Sequence, residues 1–172
     1  MPGIPVKPTV LAELTRQLNH ELAAAHNYVA LALWCDDQNL KGFARFFHTQ
    51  AAEEREHAGK FTTHLINRDV LPELTQIPAP RGKFNTLMDL AQQARSMEQA
   101  NTAGINAAYE VALRERDFPA QVLLQWFINE QVEEEAWADE MVERIEVAGC
   151  SGGLMDLDRH IERYLSDEPE VK

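Results

Sequence analysis

The chain has 172 residues, 45% hydrophobic and 26% charged, which suits one soluble globular domain whose core needs no disulfide or structural metal. A net charge of −12 excludes nucleic acid as a natural partner, and no Lys/Arg block points to an anionic membrane. The cysteines, Cys35 and Cys150, stand far apart and outside any Cys-x-x-Cys pair, which excludes a zinc ribbon or iron–sulfur centre and suits a reducing compartment.

In chain order, Pro2, Pro5 and Pro8 make residues 1–9 an extended arm without an apolar run of signal-peptide length, so a cytoplasmic protein is expected. The longest apolar run, Tyr28 to Cys35, is too short to cross a bilayer. Thr9 suits an N-cap for a helix from Val10 to Asp37, and Asp37-Gln38-Asn39 breaks the pattern before a second helix from Lys41 to Asn67. The segment from Arg68 to Phe84 is irregular, with Pro72, Pro78, Pro80 and Gly82 as breakers. Asn85 caps a third helix that reaches Arg116, and Asp117-Phe118-Pro119 makes a tight turn with Pro119 near the first position of a fourth. That helix continues to Ala148 and ends at Gly149, Gly152 and Gly153, after which a short fifth helix spans 154–166. Strand signals are nearly absent. The pattern predicts one all-α domain over 1–172, a four-helix bundle with a long crossover between helices 2 and 3 and a short C-terminal helix.

The inward stripe of each helix follows from 3–4 spacing. The first reads Leu14, Leu18, Glu21, Ala25, Tyr28, Ala32, and the second Phe43, Phe47, Gln50, Glu54, His57, Phe61, Leu65. The third reads Leu87, Ala91, Ala94, Glu98, Ile105, Ala108, and the fourth Leu124, Phe127, Gln131, Glu134, Ala138, Met141, Ile145. Each is apolar at both ends and interrupted by Glu, His or Gln near its middle. Counted from the hairpin turns, Glu21 and Glu54 differ in level by only ~4–5 Å of helix rise, and Glu98 matches Gln131 and Glu134 similarly.

Ionised carboxylates clustered in a core are desolvated and repel one another. Either they share protons or a cation compensates them, and no Lys or Arg interrupts the four stripes. Oxygen ligands with one imidazole suit Fe(II) or Mn(II) better than a thiol-seeking metal. Glu54-x-x-His57, with one Glu from each of two other helices, meets the recipe for a dinuclear carboxylate site, Glu54 bridging, Glu21 and His57 completing the first position, Glu98 and Gln131 the second. A proton-sharing polar layer without metal is the plainer alternative.

Leu18-Asn19-His20-Glu21, Glu53-Glu54-Arg55-Glu56-His57, Glu98, Gln125-Trp126 and Asn129-Glu130-Gln131-Val132-Glu133-Glu134-Glu135 together resemble the bacterial non-haem ferritins, over Val10 to Ser166. The resemblance implies ferroxidase activity, with Fe(II) and O2 or H2O2 as substrates, and iron storage in a hollow homo-oligomer of 24 subunits. It makes Glu21, Glu54 and His57 the first iron site, and Glu98 and Gln131 the second, to which Glu134 contributes. Tyr28 matches a redox tyrosine beside the first iron, although a core aromatic explains it equally. Glu53, Glu130 and Glu133, with Glu134, match a third iron site, where spacing alone reads as a solvated acidic face. Arg55 stands where bacterioferritins carry a haem-ligating Met, so no haem is expected. Gln131 and Glu134 replace their second Glu-x-x-His, so the second iron should be held loosely. The acidic three-fold pore of animal ferritins aligns with Gln121 and Leu124, which leaves iron access by another route. A di-metal oxidase acting on an organic substrate and a metal-free structural bundle are the competing functions.

Overall fold

The computed structural model describes residues 5–166, which form five helices: α1 Pro8–Asp37, α2 Lys41–Ile66, α3 Leu87–Arg114, α4 Phe118–Ala148 and α5 Ser151–Leu165. α1 pairs with α2 and α3 with α4 as antiparallel hairpins, α1 packs on α3, and α5 lies across α2 and α4. The crossover returns the chain along the bundle, making α3 parallel to α2 as expected. Asn19 pins it to α1, donating to the Glu73 carbonyl and accepting from the Thr75 N–H, both at 2.8 Å.

Every residue of the four stripes is buried. The apolar core is divided into two clusters, one around Leu14, Leu18, Phe61, Ile105 and Phe127, the other around Tyr28, Phe47, Leu90, Trp137 and Met141. Between them lies the polar layer. The same helices that bury two ordinary cores therefore fix polar side chains at one depth.

Helix ends differ from expectation where two neighbours can serve as the cap. α1 begins at Pro8, whose fixed φ suits a first turn, and extended Lys7 supplies the carbonyl that accepts from Leu11 N–H at 2.9 Å. Thr9 thus lies inside the helix and the arm is shorter than 1–9; its residues 1–4 fall outside the described residues. Thr86, not Asn85, caps α3, its hydroxyl accepting from Asp89 N–H at 3.0 Å. Asp117 caps α4 and is held by Arg68 at 2.8 Å.

α4 ends on Gly149 at φ 50, but Gly152 and Gly153 belong to α5, which starts three residues before the expected Leu154. A Cβ on Gly152 would meet nothing within 4 Å, whereas Gly153 is a contact residue, since a Cβ there would stand 2.4 Å from the Ala148 carbonyl oxygen. Gly42 plays the same part on α2, where a Cβ would meet the Asp158 carbonyl oxygen at 1.7 Å, and Phe43 N–H donates to the Asp158 carboxylate at 3.0 Å.

Candidate metal centre

α1 carries Glu21 into the polar layer, α2 carries Glu54 and His57, α3 carries Glu98, and α4 carries Gln131 and Glu134; none is more than 5% exposed. Glu54 and His57, three residues apart, share one helical face. His57 Nδ1 lies 3.3 Å from Glu54 and 3.9 Å from Glu21, and the three residues offer ligand atoms all within 4.8 Å of one another. This is the first set expected from the sequence. The imidazole is gripped edge-on by Trp126 and Phe127, with ring centroids 5.5 and 5.7 Å away. Its Nε2 faces Glu130 at 3.6 Å, and His57, Glu130 and Glu134 form a second group within 4.8 Å.

The residues expected around the second metal are arranged differently. Gln131 Nε2 donates to the Glu98 carboxylate at 3.2 Å and to its peptide carbonyl at 3.3 Å. The Tyr28 hydroxyl donates to the same carboxylate. Tyr28 stacks on Phe47 at 5.9 Å and tilts against Trp137 at 6.2 Å, and the Trp137 N–H donates to Glu134.

Glu53, Glu130, Glu133 and Glu134 line one cavity of about 580 Å³ between α2, α4 and the end of α5, with Gln50 in its wall. Gln50 is 6% exposed; its amide nitrogen donates to Glu53, and its Oε1 has no hydrogen-bond partner. A buried carbonyl without a donor is costly.

Burial raises the Glu21 and Glu134 carboxyls well above the ordinary range, reinforced by neighbouring carboxylates. Glu98 is pushed up to about 7, by burial first and the Glu54 charge second, against hydrogen bonds from Tyr28 and Gln131. Glu53 is raised by burial as well. Burial lowers the His57 basicity, yet hydrogen bonding to Glu54 and the charges of Glu54, Glu130 and Glu53 outweigh it, so the imidazole is raised overall. Among the described residues no Lys or Arg pairs with Glu21, Glu54, Glu98 or Glu134. A cluster with these properties binds protons or cations, and binding one displaces the other.

Sequence reasoning missed Gln17 and Asn101, which are 0% and 2% exposed and hydrogen-bonded to each other at 2.9 Å inside the polar layer. Stripe spacing could have found both, since Gln17 lies one turn before Glu21 and Asn101 one turn after Glu98. Trp137 was missed for the opposite reason, as an aromatic residue on an apolar face. Leu124, aligned with the animal pore, is fully buried in the core and lines no opening, while Gln121 donates to the Ala112 carbonyl at 3.1 Å.

The family model of the ferritin-like domain matches residues 11–148. A bacterial non-heme ferritin of Staphylococcus haemolyticus is 38% identical over 127 residues, covering 74% of this chain and 76% of the relative. That of Staphylococcus saprophyticus is 35% identical over 148 residues, covering 86% of this chain and 89% of the relative. Among solved structures, an open pore ferritin from the hyperthermophilic archaeon Archaeoglobus fulgidus superposes with a TM-score of 0.88 at 30% identity, over 91% of this chain and 97% of that one. A closed form of the Archaeoglobus fulgidus ferritin, engineered by mutagenesis, gives a TM-score of 0.88 at 30% identity, over 91% and 96% of the two chains.

Proposed function

The chain belongs to the ferritin family and is an iron-storage protein, and we propose that it loads its iron as a ferroxidase, oxidising Fe(II) at a dinuclear carboxylate site and depositing ferric oxide inside a shell of its own copies. Glu21, Glu54 and His57 take the first iron. Glu54 bridges to the second, which Glu98 holds with Gln131 and Glu134 beside it. Glu53, Glu130, Glu133 and Glu134 receive a third, and Gln50 lines the same cavity.

Fe(II) arrives as substrate and displaces the protons that the buried carboxyls hold in its absence. Each iron gives up one electron. The pair reduces O2 to H2O2, or H2O2 to two waters, with uptake of two protons. The carboxylates offset the added positive charge, and Tyr28 holds Glu98 in place through its hydroxyl hydrogen bond. Fe(III) leaves through the cavity lined by Glu53, Glu130 and Glu133.

The observation that carries this reading is the grouping of the buried carboxylates Glu21, Glu54 and Glu134 about one imidazole, with buried Glu98 in the same layer and, among the described residues, no Lys or Arg paired with them. Shell formation is supported by apolar side chains left in water on the single chain: Leu71 (87% exposed) and Leu74 (66%) on the crossover, Phe118 (67%) and Val122 (69%) at the start of α4. We assign 24 subunits and the cytoplasm; Cys35 and Cys150 are unpaired, and no described helix is long and apolar enough to cross a membrane. Glu54→Ala tests the site, since its side chain serves both irons. The variant is expected to fold and assemble, but to lose fast Fe(II) oxidation in a stopped-flow trace. Wild-type oxidation by a folded Glu54→Ala shell contradicts the assignment.

A further inference from the structure

Polar side chains run in series from the surface of α1 to the carboxylate of Glu98. Arg16, exposed at the surface, donates from Nη1 to Gln17 Oε1 at 2.7 Å. Gln17 Nε2 donates to Asn101 Oδ1 at 2.9 Å, and Asn101 Nδ2 donates to Gln131 Oε1 at 3.2 Å and, more weakly, to Glu21 at 3.4 Å. Gln131 Nε2 closes the series on Glu98 at 3.2 Å and on the Thr102 hydroxyl at 3.2 Å. The three amide side chains are each no more than 2% exposed.

An amide can be turned end for end, so its orientation must follow from its partners. Here both ends allow only one direction. A guanidinium donates and cannot accept, so Gln17 turns its oxygen to Arg16 and its NH2 to Asn101. The Glu98 peptide carbonyl, 3.3 Å from Gln131 Nε2, accepts and cannot donate, so Gln131 turns its NH2 to Glu98 and its oxygen to Asn101. Asn101, between them, accepts from Gln17 and donates to Gln131. The three assignments agree.

We propose that Arg16, Gln17, Asn101 and Gln131 form a polarised relay that positions Glu98 for iron, with Gln131 acting as a hydrogen-bond donor to Glu98 and not as a metal ligand. The relay rests on the reading of Glu98 as a ligand of the second iron. It makes the four residues positioning residues, one of them at the protein surface. Gly104 supplies the room: a Cβ there would stand 2.5 Å from Gln17 Oε1 and 3.1 Å from Arg16 Nη1, and its carbonyl accepts from Arg16 Nη2 at 2.9 Å. A glycine inside a helix is unfavourable relative to alanine, and the space it leaves for the relay explains its presence in α3.

Anaerobic titration of the assembled, metal-free protein with Co(II), followed by ligand-field absorbance, tests the relay in Arg16→Met, Arg16→Lys and Gly104→Ala. Orienting groups outside the ligand shell typically change metal affinity at least 10-fold, so Arg16→Met and Gly104→Ala are each expected to weaken the second Co(II) by about that factor and leave the first unchanged. Arg16→Lys, which keeps a donor, restores it. Melting temperatures are read alongside, because lost second-ion affinity without lost stability is not the result of a packing role. Unchanged second-ion affinity in Arg16→Met overturns the relay, whether or not Gly104→Ala folds. A wild-type protein that takes up only one Co(II) per subunit overturns the dinuclear reading beneath it.

Discussion

Replacing Glu98 by Gln is expected to stabilise the metal-free protein at pH 8 and to give no gain at pH 5. In the empty site the Glu98 carboxyl is raised from an ordinary 4.5 to about 7, burial being the chief cause. A carboxyl raised on folding keeps its proton in the native state after the unfolded chain has lost it. Its contribution to stability is therefore complete below about pH 4.5 and is lost as pH climbs through about 7. At ~1.4 kcal/mol for each tenfold change, an ionised Glu98 carries a penalty of about 3 kcal/mol at pH 8. Glutamine removes that charge and keeps an oxygen for Tyr28, but it turns an NH2 toward Gln131, which costs about 1 kcal/mol. The net gain of about 2 kcal/mol corresponds to a rise of roughly 4–8 °C in melting temperature for a chain of this size. Circular dichroism melts of chelator-treated protein at pH 5 and pH 8 measure it. A Glu98→Gln protein that melts no higher than wild type at pH 8, or that gains equally at pH 5, refutes the reasoning.

Three further outcomes follow from the same geometry. Tyr28→Phe removes the donor to Glu98 and is expected to slow Fe(II) oxidation while the Co(II) stoichiometry stays at its wild-type value; unaltered oxidation kinetics assign Tyr28 to the core alone. Because Glu21 and Glu134 hold raised carboxyls and Glu98 is pushed up to about 7, mixing metal-free protein with Zn(II) in weak buffer near pH 6.5 should acidify the solution, and affinity should fall toward pH 5; binding without proton release contradicts the raised carboxyls. Gly42→Ala forces a Cβ against the Asp158 carbonyl and should cost about 1–3 kcal/mol by displacing α5, seen as a lowered melting temperature, and an unchanged melt contradicts the tight α2–α5 contact.

The stripes were legible because burial along a long helix imposes a 3–4 period whatever the residue type. Leu14 through Ala32 on α1 and Leu124 through Ile145 on α4 are buried as their spacing requires, their polar members included. Glu21, Glu54 and His57 could be read together because a carboxylate interrupting an apolar stripe must either keep a proton or meet a cation. Gln17 and Asn101 fit the same spacing, but amides are ordinary surface residues, and it is the approach of α1 to α3 at Gly104 that seals them in. Glu53, Glu130 and Glu133 look like a solvated face in sequence, and only the placement of α5 turns that face into a cavity. Gly153 reads as a breaker because its role is set by the Ala148 carbonyl, a neighbour that no local pattern reveals.

The most direct test of iron storage through a ferroxidase site is to load metal-free protein anaerobically with increasing Fe(II), admit air, and follow absorbance by stopped flow. Fast oxidation that saturates at about two or three irons per subunit, followed by slower oxidation far beyond that with the iron kept in solution, is the expected result. Oxidation that stops at about two irons which never leave the protein contradicts storage and makes the site that of a di-iron enzyme.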